Sequence, residues 1–215
     1  MSSSSVGSFL GVELATVVAR EMIARYKIQR EQTRRELEEL YRKPVYFAHE
    51  LVGCKLKREL ARIFTEIDLS NSYIPRMMVG EIVERGLSSF MSKLGFIKPD
   101  SPCVEELSEI VVAGSPDYVS SDGKILVDVK YSKTPIPREH HVARMRIYLT
   151  ICRAEVGVLL YISPRGIKSY GVLEKIDQQD IVKLAKSSSS PRYEWECRHC
   201  AFSDFCPAFR GERGG

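Results

Sequence analysis

The chain has 215 residues, 44% apolar and 28% charged, with 32 basic against 28 acidic side chains and a net charge of +4. This is enough apolar material for one sizeable packed domain and too mixed in charge for a polycationic tail or a disordered chain; the small positive excess permits nucleic-acid binding without arguing for it. No stretch reaches the roughly 18 consecutive apolar residues of a membrane span. The N-terminal MSSSSVGSFLGVELATVV lacks a basic start and Glu13 interrupts it, so it does not read as a signal peptide and a cytoplasmic location is expected.

Residues 1–8 are Ser-rich and expected to be disordered. From Glu13 to Lys43 nothing breaks a helix until Pro44, and Val17, Val18, Ile23 and Ile28 give way to REQTRRELEEL. That charged stretch reads first as a solvated helix face with ion pairs four residues apart. A basic arm for phosphates, through Arg25, Lys27, Arg30, Arg34 and Arg35, is the alternative. Further helices are expected over Val52–Thr65 and Arg76–Leu94, the second with Met78, Ile82, Leu87, Phe90, Met91 and Leu94 near helical spacing.

The period then changes to that of strands. EIVVAGSPDYV carries a break at Gly114-Ser115-Pro116, and KILVDVKYS follows Asp122-Gly123, a strong hairpin signal. A helix over Arg138–Ala154, a buried strand VGVLLYIS, a partner strand IKSYGVLE and a short helix over 177–186 complete the pattern. Ser187–Ser190 is a low-complexity linker, and WECRHCAFSDFC is too short for a core of its own. Helices, a hairpin, a helix, two strands and a helix predict an α/β fold with a mixed sheet and helices packed against it.

A turn centred on Asp122-Gly123 pairs residues whose numbers sum to 245, so Asp117 falls opposite Asp128. Their Cβ atoms would then lie about 4.5–5.5 Å apart on one face. A four-residue loop on the same centre keeps this pairing, whereas a three-residue loop would separate them. Opposed like charges call for compensation, which Mg²⁺ or Mn²⁺ supplies through carboxylate oxygens. Lys130, two residues beyond Asp128, points to the same face and could offset the charge or stabilise charge developing on a reacting phosphate. A lone D-x-K also fits an ordinary solvated strand face.

Cys197, Cys200 and Cys206 form C-x2-C-x5-C, a metal or cluster pattern in a reducing compartment. A closed site needs a fourth ligand. Cys54, among basic residues in HELVGCKLKREL, is favoured. Cys103 and Cys152 read as small hydrophobes, and His199, between two candidate thiols, as a surface residue. Tyr131, Tyr148 and Trp195 are candidates for stacking on bases, with Trp195, beside these cysteines, equally able to cover the cluster. Zinc is the general reading of such spacing, although a second C-x-x-C pair is missing.

GSPDYV followed by LVDVK resembles the core of the PD-(D/E)xK nucleases, in their RecB-like branch, through Gly114 to Asp117 and Asp128 to Lys130. HHVARMRIY is similar to that branch's downstream helix motif, with Tyr148 in the Tyr position and Arg144 where Gln is usual. The upstream G-x-x-x-H motif is matched at Gly80, with Glu84 in place of His. One cysteine far upstream and three near the C-terminus resemble the iron–sulfur RecB-like nucleases, most closely the fourth family of CRISPR-associated proteins. The resemblance implies catalysis by Asp117, Asp128, Lys130 and Tyr148. It implies Mn²⁺ or Mg²⁺ held by Glu84, Asp117, Asp128 and the Val129 carbonyl, and DNA contacts from Arg144 and His141. It implies a 4Fe–4S or 2Fe–2S cluster on Cys54, Cys197, Cys200 and Cys206. Three parts are expected: an N-terminal helical region (1–75), a nuclease core (76–186), and a C-terminal linker and cysteine segment (187–215), with the cluster tying the first to the last. The implied activity is a DNA exonuclease, 5′ to 3′ on single strands or fraying ends, in CRISPR adaptation, alongside other adaptation proteins and with homo-oligomerisation open. A non-catalytic cluster- or zinc-bearing nucleic-acid scaffold is the alternative.

Overall fold

The structure, a computed structural model, describes residues 29–64 and 75–209. Helix α1 covers residues 29–41. It is followed by β1 (Val45–Phe47), α2 (Ala48–Leu51), α3 (Lys55–Ile63) and α4 (Pro75–Lys93). Strands β2 (Phe96–Ile97), β3 (Cys103–Glu106), β4 (Val111–Gly114), β5 (Tyr118–Ser120) and β6 (Ile125–Tyr131) lead into α5 (Glu139–Ile151). Strands β7 (Val156–Ser163) and β8 (Gly166–Val172), helix α6 (Gln178–Lys186) and two short 3-10 turns, Glu194–His199 and Ser203–Phe205, complete it. None of the described helices is long and apolar enough to cross a membrane.

Five strands form a mixed sheet in the order β2-β5-β6-β7-β8, and three form a smaller one, β1-β4-β3. The β5–β6 hairpin turns where Asp122-Gly123 predicts it. Gly123 adopts φ +75°, a conformation glycine takes without strain. Asp122 Oδ1 accepts the Lys124 N–H at 3.1 Å and closes the turn. Tyr118 pairs with Val127 and Val119 with Leu126, the expected register. Strands β6 and β7 run parallel, which a two-residue turn cannot achieve, and α5 makes the crossover.

Both faces of the larger sheet are covered. On one, Met145, Ile147 and Leu149 of α5 are fully buried with Leu126, Leu159 and Tyr161. On the other, Met91 of α4 packs with Tyr118, Val127 and Val129. A strand covered on both sides has no polar face, which is why β7 reads as the nearly unbroken VGVLLYIS.

The structure departs from the sequence reading in three places. The helix expected over Val52–Thr65 is preceded by the separate single turn α2, with Val52-Gly53-Cys54 between the two. Arg34 lies on neither a solvated face nor a phosphate arm. It is buried, pairs with Glu50 at 2.6 Å, donates to the Val45 carbonyl at 2.7 Å, and covers the Phe47 ring. Arg25 and Lys27 lie outside the described residues. Cys103 and Cys152, taken as small hydrophobes, form a disulfide with Cα atoms 5.2 Å apart. The bridge joins β3 of the smaller sheet to the residue that ends α5, so it clamps the crossover helix to the second sheet.

The bridge spans 49 residues of sequence, and cross-linking a loop of that size is worth about 3–5 kcal/mol. A Cys103→Ser, Cys152→Ser double variant should therefore melt on the order of 10 °C below the oxidised wild type by calorimetry. Equal melting temperatures would refute the cross-link.

Candidate active site

Asp117 immediately precedes β5, and continuing the β5–β6 register sets it opposite Asp128. Asp117 Oδ2 accepts the Val129 N–H at 2.6 Å. Asp128, 2% exposed, receives two cations. Arg144 Nη2 donates to both of its oxygens, at 2.9 and 2.7 Å, and Lys130 Nζ stands 2.6 Å from Oδ2. Lys130 Nζ also donates to the Val129 carbonyl at 2.9 Å.

Helix α5 supplies Arg144 and, one turn on, Tyr148, whose ring centroid lies 5.7 Å from the guanidinium carbon. Gly114 makes the approach of Tyr148 possible. A Cβ there would fall 2.5 Å from Tyr148 Cε1, so a side chain at 114 would push the helix off the sheet. Glu84 comes from α4. Its carboxylate pairs with Lys98 at 2.6 Å, and its carbonyl accepts the hydroxyl of Tyr118, the neighbour of Asp117. One turn before Arg144, His141 Nδ1 lies 2.6 Å from the Tyr161 hydroxyl.

The two aspartates are electrostatically unequal. Burial, together with the charges of Asp128 and Glu84, pushes the Asp117 carboxyl up to about 7, against the pull of Lys130. Burial also opposes ionisation of Asp128, but Arg144 and Lys130 outweigh it and hold that carboxyl down at about 2. Burial and the neighbouring Arg144 lower Lys130. Burial opposes the charge on Arg144 too, yet Asp128 raises it above the ordinary guanidinium value. His141 is held down at about 2 by burial and by Lys130, and His140 at about 4 by burial and Arg138. His141 is therefore a neutral ring near neutral pH.

The structure thus gathers Asp117, Asp128, Lys130, Arg144 and Tyr148 at one place, with Glu84 close enough for its charge to act on Asp117. Among the described residues no three His, Cys, Asp or Glu side chains converge on a single-ion position. Sequence reasoning missed Lys98, Tyr161 and His49. His49 is held at about 4 by burial, and Arg30, Arg144 and Arg34 lower it further. It lies on the one-turn helix α2, where no periodicity could mark it.

Cys54, Cys197, Cys200 and Cys206 line one small pocket with Lys57 and Glu196. His199 is exposed. Glu196, also missed, joins the two halves of this site. Its Oε1 accepts the Cys54 N–H at 2.8 Å, and its Oε2 accepts the N–H groups of Arg192 and Tyr193 at 2.8 and 2.9 Å. An acidic residue beside cysteines gives no sequence signal for this role.

No family model matches the chain. The CRISPR-associated exonuclease Cas4 of Saccharolobus solfataricus is 33% identical over 178 residues, covering 75% of this chain and 87% of that protein. The crystal structure of SSO0001 superposes with a TM-score of 0.72 at 28% identity, over 86% of this chain and 98% of that one. An alkaline exonuclease of Laribacter hongkongensis aligns with a TM-score of 0.47 at 13% identity, over 66% and 82% of the two chains.

A carboxyl that binds its proton more tightly when folded favours the fold at low pH, and that contribution is lost as pH rises through about 7. The lowered His49, His140 and His141 act in the opposite direction. A comparison with Asp117→Asn isolates the aspartate. In EDTA the variant's gain in melting temperature over wild type should grow from about pH 4 to about pH 7 and level off above it. A gain independent of pH would mean that Asp117 ionises normally.

Proposed function

The chain belongs to the Cas4 family of CRISPR-associated exonucleases, and we propose that it is a metal-dependent DNA exonuclease, cutting single strands from the 5′ end during CRISPR adaptation. The observation that carries the reading is the buried pair Asp117 and Asp128, opposed across one hairpin with Lys130 on the same strand. The family supplies the DNA substrate and the adaptation setting. Other adaptation proteins and a second copy of the chain are the proposed partners.

The donor set suits a hard divalent cation such as Mn²⁺ or Mg²⁺. Asp117 keeps its proton to about pH 7 because burial and two neighbouring carboxylates leave it short of positive charge, a lack that a cation makes good. Asp117 and Asp128 would hold the ion, with Glu84 and the Val129 carbonyl as further ligands; that carbonyl has a second lone pair beside the one Lys130 uses. The bound ion would supply Lewis-acid activation of water and phosphate. Lys130 holds a positive charge where negative charge develops on the phosphate. Arg144 pairs with Asp128 through Nη2 and would offer its remaining guanidinium donors to a phosphate oxygen. Tyr148 holds the guanidinium in place from below, and neutral His141 offers a hydrogen bond beside it.

Cys54, Cys197, Cys200 and Cys206 are the proposed ligands of a 4Fe–4S or 2Fe–2S cluster. Thiolates around a cluster are shared over two or four irons, so the four together stand further apart than ligands converging on one ion. The four cysteines share one pocket, and Glu196 already brings the two chain segments together. The cluster would close a loop of about 140 residues, from Cys54 to Cys197.

A binding-only scaffold has one observation in its favour, the occupation of both Asp128 oxygens by Arg144. Cleavage separates the two readings. Purified protein with Mn²⁺ should degrade end-labelled single-stranded DNA, and Asp128→Ala should lower the rate about 10²-fold or more. Activity surviving in that variant would place the chemistry elsewhere. Separately, Cys197→Ala should lose visible absorbance and thermal stability before it loses cleavage; unchanged absorbance would remove Cys197 from the ligand set.

A further inference from the structure

Outside the catalytic cluster, the C-terminal segment folds against the start of α5 and builds an aromatic surface. Tyr193 and Trp195 lie nearly parallel, with ring centroids 5.8 Å apart and planes 12° apart. The His140 ring stands 4.8 Å from Trp195 and 5.9 Å from Tyr193. Trp195 is 43% exposed, although an indole of that size is ordinarily well buried. It is not among the residues lining the cysteine pocket. Instead it lines an open cavity of about 550 Å³ with Arg138, Glu139, His140, Arg192, Tyr193 and Glu194.

This cavity connects to the catalytic residues through packed side chains. His140 contacts His141, with centroids 4.1 Å apart. His141 Nδ1 meets the Tyr161 hydroxyl at 2.6 Å, and Tyr161 pairs with Lys130 across β6 and β7. Arg144 lies one turn beyond His140 and His141 on the same helix.

We propose that His140, Tyr193 and Trp195 form a stacking platform for an unpaired nucleobase of the DNA strand, one that positions the strand for cleavage at Asp117 and Asp128. The inference rests on the nuclease reading for its occupant. Exposed, nearly parallel aromatic faces suit a planar heterocycle. Two guanidiniums, Arg138 and Arg192, stand at the rim for the flanking phosphates. Glu139 and Glu194 offset their charge, so the cavity is no general anion trap, and their oxygens can accept from base amino groups. A base in a duplex is stacked and paired, so its faces are closed to such a platform. The site therefore selects single strands or frayed ends.

The test measures binding of fluorescent oligothymidylate by anisotropy, with Ca²⁺ present so that the strand survives. Trp195→Ala should weaken binding about 5- to 150-fold, and Trp195→Phe should restore most of it. An abasic strand of equal length should bind wild type and Trp195→Ala alike. In the unmodified protein, an oligonucleotide carrying 5-iodouracil should cross-link on irradiation to Trp195 or Tyr193, as mapped by mass spectrometry. Unchanged affinity in Trp195→Ala, or adducts confined to other residues, overturns the platform and leaves Trp195 as a contact for a protein partner. Cleavage by wild type with Mn²⁺ is scored separately. Cleavage without these adducts refutes the platform alone, whereas adducts without cleavage refute the nuclease reading alone.

Discussion

Pairing Tyr118 with Val127 leaves Asp117 no position except opposite Asp128, and the rest of the site follows from that opposition. Like charges facing each other on a sheet are destabilising, and burial removes the water that would screen them. The protein resolves the conflict unequally. Asp128 takes both available cations, while Asp117 has a backbone N–H and otherwise keeps its proton until about neutrality. Arg144 and Lys130 therefore hold Asp128 in its charged form down to about pH 2, while burial keeps the proton on Asp117 up to about pH 7. For Arg144 to reach Asp128, α5 must lie close on that face of the sheet. This in turn requires Gly114, because Tyr148 fills the space a side chain there would need.

Two further contacts hold this arrangement from outside. The Cys103–Cys152 bridge fixes the C-terminal end of α5 to β3. At the other end of the helix, His140 packs against Trp195 and Tyr193, whose segment is tied by Glu196 to the turn carrying Cys54. Helix α5 is thus gripped at both ends by elements distant in sequence. The 3-10 turn that holds Glu196 and Trp195 touches both the cysteine pocket and the start of α5.

The hairpin was readable because its determinants are local. Asp-Gly fixes the turn, alternation fixes the faces, and the sum of residue numbers then fixes the partners. The strand VGVLLYIS was readable for a related reason, since burial on both faces leaves an unbroken apolar run. Strands β1 and β3 were not, because strands of three or four residues cannot establish a period; their pairing with β4 is a tertiary event. The same applies to Arg34, where a helix rich in Arg and Glu gives no sign of which arginine turns inward to Glu50. The Cys103–Cys152 pair was misjudged because a disulfide depends on Cα separation, and 49 residues of intervening chain conceal it. At the site, the aspartates and Lys130 were evident from spacing and resemblance, while Glu196, His49 and Lys98 act through contacts that no spacing records.

Arg144 is where the chain departs most from the pattern it resembles, and the local charges explain what the substitution does. Glu84, Asp117 and Asp128 bring three negative charges when ionised; Lys98, Lys130 and Arg144 bring three positive ones. A glutamine at 144 would leave this set one charge negative, and more inclined to draw a cation. With arginine it balances, so whatever else binds at Asp128 must share that carboxylate with the guanidinium. Nη2 alone bridges both Asp128 oxygens, and Nε remains buried without a hydrogen-bond partner. The Nε atoms of Arg34, Arg146 and Arg192 are placed alike, so the feature that distinguishes Arg144 is its bridge to both Asp128 oxygens. Arg144 is therefore oriented by Asp128. Any pull on Asp128 is therefore felt directly by the guanidinium that bridges its two oxygens.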